Sequence, residues 1–456
     1  MKKEMFSHEI SMLRDTFRRL INRKANTNLV KLIEKTHSAD LAVIYRFFTD
    51  NEQNYLFNLM TNNEYTAEFL SELDDSILED LLEDIAPERI VPIIRIASSD
   101  DQTAILNAIS EEKSKIVIDS LHSDEQEEIE EMLAYPEDSA GSMMSTDVFT
   151  LNEGLTAGEA INDLQNQEGV EMVFYLYVTD AENHLVGVIS LRDLVTTHSS
   201  TKLKDIMIRK VQYVRAETDQ EEVAKIVSHY NLLAVPVVDS NDEILGIVTV
   251  DDVVDVIREE ATEDFLQMAG AGKDREILLK SSWGNAKSRF PWLFATWIGG
   301  IFTMSIIGFF ENTLQSIITL AAFIPIIAGM GGNIGTQSST IIVRGIATGR
   351  IDFGSDLKLI LKELSVGLIL GLTYGLLLGS LAYLFLKDVP TIFGMVVGLS
   401  ICATMVLAAS IGTSVPLLLR KLNVDPAIAT GPFVTTTTDI IGIGTYFLIA
   451  SALLPL

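Results

Sequence analysis

Asp439 stands in a stretch without other charges, directly behind four threonines, Thr435 to Thr438, and shortly after a Gly431-Pro432 pair. A carboxylate in such apolar surroundings costs about 2.5 to 3.5 kcal/mol on insertion scales unless it faces water or a cation. Two readings follow. The group binds a cation, or it is a structural aspartate satisfied by a threonine hydroxyl or by a basic partner, and the stretch itself offers no Lys or Arg. The Gly-Pro pair predicts a helix kink. A second run, from Gly329 to Gln337, places the amides of Asn333 and Gln337 one helical turn apart among small residues. Such runs serve as ordinary glue between membrane helices or as the lining of a polar path, and composition alone leaves both open.

Charge is divided sharply along the chain. Of 34 basic and 63 acidic residues in 456, only 9 and 7 lie from Trp283 onward, so the upstream part carries about −31 and the rest about +2. Charge segregated in this way matches a division between water and lipid, and it makes the acidic part a poor nucleic-acid binder and a plausible holder of divalent cations. Clusters such as Glu260-Glu263-Asp264 are the ones to consider as ligands; most other acids read as solvated surface. Two carboxylates about 8 Å apart repel by roughly 2 kcal/mol at an effective dielectric of 20, which spreads their domains until a divalent ion bridges them. The single Cys402 lies in an apolar stretch and reads as a small hydrophobe. The start of the chain has no apolar signal region, so the acidic part is expected in the cytosol.

The elements that position these residues fall into four segments. Residues 1–135 show apolar spacings of three and four, as at Ile90, Ile93, Ile94 and Ala97, broken by polar stretches such as Ser98 to Asp101, and read as an acidic, all-α superhelical domain. Helices are expected to start at Ala86-Pro87-Glu88-Arg89 and at Ser123-Asp124-Glu125-Gln126. In residues 136–257 the period changes, and YLYVTDAENHLVGVISLRDL from Tyr175 is echoed by AVPVVDSNDEILGIVTVDDV from Ala234, each a strand, acidic turn, strand and helix. With Met144 and Met207 opening the two units, this repeat resembles a tandem pair of α/β CBS domains. Ser190 with Asp193, and Thr249 with Asp252, have capping-box spacing. The CBS resemblance gives the same four residues a second role, holding the ribose and phosphates of ATP. Residues 258–289 read as a connecting helix and linker into the membrane.

From 290 to 456 the chain has five long spans, four without charge, Phe290 to Phe310, Asn312 to Val343, Leu364 to Leu386 and Val389 to Leu419, and a fifth, Pro426 to Leu456, interrupted once. Each is long enough to cross a bilayer, so an all-α bundle of five transmembrane helices is expected, with Asp439 as the one carboxylate well inside a span. Lys287 and Arg289 precede the first span, Arg344, Arg350, Lys358 and Lys362 follow the second, and Arg420 and Lys421 follow the fourth, so all fall on one side. The positive-inside rule then puts the N-terminus in the cytosol and the C-terminus outside. No Walker A, HExxH or other catalytic constellation is present, so the chain is not read as an enzyme or an ATP-driven pump.

Five stretches in this order, YPEDSAG from Tyr135, VDDVVDVIREEATED from Val250, GMGGNIGTQSSTIIVRGIATG from Gly329, KELSVGLILGLTYG from Lys362 and LNVDPAIATGPFVTTTTDIIG from Leu422, resemble the MgtE family of bacterial Mg2+ channels and transporters. The likeness runs through nearly the whole chain. It implies a homodimer in the bacterial cytoplasmic membrane, a pore formed by the second and fifth spans, Asp439 at the ion site, and cytosolic domains that close the pore when Mg2+ is abundant. By position it implies regulatory carboxylates at Glu68, Asp100, Asp219, Glu221, Asp252, Asp255, Glu260, Glu263, Asp264 and Asp425. Ala104 and Asn231 depart from the family's acidic pattern. Asn333, Gln337, Thr435 and Thr438 are the further pore candidates. Rival readings are a carrier for Mn2+ or Co2+, a Na+-coupled Mg2+ exchanger, and, from another class, a nucleotide-sensing regulator that the spans merely anchor.

Overall fold

The computed structural model describes residues 2–167, 174–272, 281–351, 356–386 and 389–455. It divides into two compact bodies, Met1–Arg258 and Glu259–Leu456. Residues 273–280 of the expected linker, the Lys387-Asp388 pair and Leu456 lie outside the described residues.

The first body opens with ten helices from Lys2–Asn22 to Ser123–Leu133 around one apolar core. After the first, each has only 8 to 11 residues. The helix Pro87–Ile94 starts with proline at its first position, where a missing N–H costs nothing. Ser98 to Asp101, expected as a break, instead forms the cap and first turn of the helix Ser99–Asn107, because a capping serine followed by acids suits a helix start. Side-chain hydrogen bonds recur between residues about thirty apart: Tyr65 Oη donates to the Thr36 carbonyl and Lys113 Nζ to that of Glu83. This periodic stitching is what a superhelix of short helices requires.

The two CBS repeats fold alike. Strands β1 (Thr150–Asn152), β2 (Tyr175–Thr179) and β3 (Leu185–Ser190) form one sheet, and β4 (Val214–Arg215), β5 (Ala234–Val238) and β6 (Ile244–Thr249) the other; each has a parallel pair followed by an antiparallel hairpin. The acidic turns are built identically. Asp180 Oδ1 accepts the amides of Glu182 and His184, Asp239 Oδ1 accepts those of Asn241 and Glu243, and Asn183 and Asp242 take left-handed φ of 67° and 68°. The opening methionines are exchanged: Met144 packs against Gly246 of the second repeat and Met207 against Gly187 of the first. Neither repeat therefore completes its core alone.

The second body takes up helix α1 (Val250–Met268) from Glu259 and holds five helices of membrane-crossing length and composition. They are α2 (Ser282–Phe309), α3 (Ile324–Ala347), α4 (Asp356–Phe385), α5 (Phe393–Lys421) and α6 (Pro432–Leu453). Three expectations are corrected. The span read from Asn312 begins with a short helix Glu311–Ser316 and a 3-10 turn Ile318–Phe323, because Pro325 starts the α-helix proper. Helix α4 begins eight residues before Leu364, so Lys358, Lys362 and Glu363 lie within it, and Asp439 is not the lone carboxylate of the spanning helices. Gly431-Pro432 is a helix start and not a kink, since Gly431 takes φ 55° and Pro432 occupies the first turn. On α4, Gly367, Gly371, Gly375 and Gly379 form a buried stripe against α5; a methyl on Gly375 would meet the Gly398 carbonyl at 2.5 Å. Such backbone contact is how membrane helices gain dispersion energy without an apolar driving force.

Candidate ion path and sensor clusters

Helix α3 has two faces. Gly331, Gly332 and Gly335 are buried and let α5 and α6 approach, whereas Asn333 and Gln337, one turn apart, are exposed. Asp439 lies on α6 beside this junction: a methyl built on Gly332 would stand 4.0 Å from its Oδ1 and 3.6 Å from Thr435 Cγ2. Asp439 is half-buried and takes no hydrogen bond or ion pair from any described residue. An intramembrane carboxylate without an internal partner needs water or a cation.

The threonines divide their duties. Thr435 donates to the carbonyls of Gly431 and Pro432, Thr437 to that of Phe433, and Thr438 to that of Thr435. Their protons are spent on their own helix, so towards a hydrated ion they are acceptors. Thr438 is only 1 % exposed and packs on Gly335, so the structure sets it in the helix contact and not on the open face. Thr436 packs on Gly299 of α2, its hydroxyl without a hydrogen-bond partner among the described residues.

Where α1 ends, it docks onto the approach to α6. Gln267, 1 % exposed, donates through Nε2 to both Glu263 Oε1 (2.9 Å) and Asp425 Oδ2 (2.8 Å). Asp425 uses its other oxygen to accept the Ala427 amide and so caps the 3-10 turn Pro426–Ala429. A neutral amide between two carboxylates relieves their repulsion, as a cation would more strongly. Glu260 and Asp264 are half-buried on the same helix. No residue pattern marked Gln267 beforehand; its position one turn after Glu263 was the available signal.

In the first body, acids of the helical domain meet acids of the CBS pair. The contact is pinned where Ser99 Oγ accepts the Thr146 amide at 2.8 Å. Beside it, burial pushes the Asp252 carboxyl up to about 7, with Asp100 and Asp251 adding repulsion. Asp147 is raised by burial and by Glu128 and Asp100. A second group joins Glu72 to Asp255 and Glu68: burial raises the Glu72 carboxyl and both acids raise it further. Glu72, Glu128 and Asp147 were not expected from the sequence, although Glu72 stands one turn after Glu68, Glu128 two residues after Gln126 and Asp147 three after Met144. Asp219 caps the helix Gln220–Tyr230, whose Glu221 pairs with Lys225 at 2.9 Å. Asn231 ends that helix in the left-handed conformation, a position that suits asparagine, and Ala104 is exposed on its helix.

Because the folded Asp252 carboxyl titrates far above its unfolded value, the folded state binds its proton more tightly, and the destabilisation is complete above about pH 7 and relieved as pH falls through it. Without divalent ions, the first body of the full-length protein is expected to melt several degrees higher at about pH 6 than at about pH 8. Scanning calorimetry at constant ionic strength checks this; a midpoint that does not rise on acidification contradicts it.

The nucleotide candidates are already paired with each other. Ser190 Oγ donates to Asp193 Oδ2 at 2.6 Å and accepts the Asp193 amide, and Thr249 Oγ1 donates to Asp252 Oδ2 at 2.5 Å. Ser190 thus caps the helix Leu191–Thr196, whereas at Thr249 the reverse half of a capping box is seen, the Asp252 carboxylate accepting the Thr249 amide at 3.3 Å. Asp193 is exposed, whereas Asp252 is committed to the acidic group beside Asp100.

Comparison with known proteins gives a consistent picture. Family models match residues 324–449 (MgtE, divalent cation transporter), 36–138 (MgtE intracellular N domain), and 140–199 and 203–259 (CBS domain). The chain is 32% identical to the magnesium transporter MgtE of Bacillus subtilis, over 92% of this chain and 93% of that one. It is 35% identical to that of Thermus thermophilus, over 93% and 95%. Among solved structures, the cytosolic domain of the Mg2+ channel MgtE in complex with ATP aligns with TM-score 0.51 and 32% identity, covering 53% of this chain and 99% of that one. The soluble part of a magnesium transporter aligns with TM-score 0.50 and 30% identity, covering 55% and 99%.

Proposed function

We propose, from the premise that this chain belongs to the MgtE family of divalent cation transporters, that it carries Mg2+ across the bacterial cytoplasmic membrane as a homodimer. The chain is a multi-pass membrane protein. The observation that carries the reading is Asp439, a carboxylate in a spanning helix with no partner among the described residues, set against Gly332 of α3, whose neighbour Asn333 begins the exposed amide face. Polar side chains opened outward in a span need cover in the bilayer, and a second copy across a two-fold axis supplies both that cover and a second Asp439. Mg2+ dehydrates reluctantly, so two facing carboxylates, with Asn333, Gln337 and threonine oxygens around the ion's water shell, hold it without a full protein cage. The N-terminus is cytosolic and the C-terminus extracytoplasmic, by the placement of the basic residues.

Cytosolic Mg2+ is the regulator in this reading. It bridges the acids that folding has brought together, Asp100 with Asp252 and Asp147, and Glu68 and Glu72 with Asp255, and it replaces the Gln267 amide between Glu263 and Asp425. ATP acts as a regulatory ligand of the CBS pair, with the half-buried Ser190 and the exposed Asp193 fitted to ribose hydroxyls and phosphate-bound metal; its presence in the solved cytosolic domain of a relative supports this. The test is flux from liposomes containing the purified full-length protein, with Mg2+ varied separately on each side. Flux driven by the Mg2+ gradient alone and suppressed by Mg2+ on the cytosolic side is expected. Dependence on a Na+ gradient, or preference for Mn2+ or Co2+, overturns the assignment of ion or mechanism. Limited proteolysis of the same protein is expected to show residues 1 to about 280 increasingly protected as Mg2+ rises to tens of millimolar, and unchanged cleavage at constant ionic strength removes the sensor role.

A further inference from the structure

Glu363 is a carboxylate within a spanning helix that the ion path does not use. It lies four residues before Gly367 and so continues the stripe of Gly367, Gly371, Gly375 and Gly379 with which α4 faces α5. Only 8 % of it is exposed. Where the glycines end in hydrogen, Glu363 extends a long side chain to α3 and accepts a hydrogen bond from Ser338 Oγ at 2.8 Å, and Ser338 is itself 2 % exposed. It forms no ion pair with a described residue, although Lys362 precedes it on an exposed face of the helix. A buried carboxylate held by one hydroxyl is expensive in a membrane, so a use for it is the default.

Ser338 directly follows Gln337 and lies on the buried side of α3, opposite the exposed face of Asn333 and Gln337. That face has no hydrogen-bond partner of its own among the described residues, whereas the buried face of α3 is glycine, serine and aliphatic side chains and is tied to α4 by the Ser338–Glu363 hydrogen bond. A turn of about 20° about the helix axis moves a side-chain head by about 2 Å, given a helix radius of about 5 to 6 Å. We propose that Glu363 is a positioning residue for the ion path: its carboxylate grips Ser338 and sets the rotation of α3, and with it the aim of Asn333 and Gln337. The inference rests on the proposed path along α3 and α6.

Three variants of the full-length protein test it in liposomes, read as Mg2+ flux and as the ratio of Mg2+ to Ca2+ flux. Ser338→Ala removes the donor, Glu363→Leu removes the acceptor, and Glu363→Gln keeps an acceptor oxygen without the charge. Loss of a hydrogen bond to a charged group corresponds to about tenfold or more, so Ser338→Ala and Glu363→Leu are expected to lower Mg2+ flux by about tenfold and to shift the ion ratio. Glu363→Gln is expected to stay within about threefold of wild type, with the wild-type ratio. Wild-type flux and ratio in Ser338→Ala overturn the proposal even where Glu363→Leu does not fold. A folded Glu363→Gln as impaired as Glu363→Leu also overturns it, because the charge and not the grip would then matter. A wild-type protein without flux instead removes the transport reading, so the two failures are distinct.

Discussion

Asp439→Asn is expected to leave a folded dimer whose Mg2+ uptake falls to background, by two orders of magnitude or more. The substitution keeps the side chain's shape and its neighbours, Gly332 and Thr435, and removes only the charge. A divalent ion about 5 Å from one carboxylate gains about 7 kcal/mol at an effective dielectric of 20, before desolvation is subtracted. An asparagine oxygen supplies a dipole in place of that charge and cannot repay the ion for leaving bulk water. Isotope or indicator uptake at matched expression, with size-exclusion elution as a check on assembly, measures the effect. Wild-type uptake in the mutant would refute the assignment and leave Asn333 and Gln337 as the next ion-contacting candidates.

The second large effect is on closure. Neutralising Glu260, Glu263 and Asp264 together, as Gln, Gln and Asn, is expected to raise the cytosolic Mg2+ concentration for half-closure by about tenfold or more, with flux at low Mg2+ unchanged. The reason is electrostatic: a bridging ion is held by the sum of its carboxylates, and each loss on α1 removes part of the attraction that draws this helix to Asp425. Gln267 remains to hold Asp425 by one neutral hydrogen bond, worth about 1.5 to 3 kcal/mol with a charged acceptor. The residual closure should therefore be weak and nearly independent of Mg2+. A triple mutant that still shuts at the wild-type concentration moves the switch to the acids of the first body.

What could be read from the sequence, and what could not, follows from the range of each interaction. The spans were legible because a bilayer forbids charge over about 20 residues, and the CBS repeats because strand, turn and strand recur with the same acidic turn. The ends of the spans were not legible. Glu363, next to Lys362, looked like loop polarity, and only the fold reveals that α4 had already begun and had buried it against Ser338. The threonine run was visible, but its rotation about α6 was not, so Thr438 was grouped with the path although it packs on Gly335. Acids were abundant enough that composition gave no way to select pairs. Asp147 and Glu72 became notable only when folding put them beside Glu128 and Asp255. The exchange of Met144 and Met207 between repeats was hidden for the same reason: each methionine is local in sequence and its partner glycine is not.

Gly431 has no room for a side chain because the carbonyl of Met268, at the end of α1, fills the space a methyl would need, and Gly270 likewise abuts Pro432. The two segments touch backbone to backbone, with no flexible side chain between them to absorb a displacement. In mechanical terms the joint has no backlash. Asp439 stands seven residues beyond Pro432, about 10 Å along a rigid helix. A shift of the last turn of α1 therefore arrives at the carboxylate almost undiminished, and any substitution at Gly431 inserts a spacer into that linkage, changing its setting even where the charges on both sides are untouched.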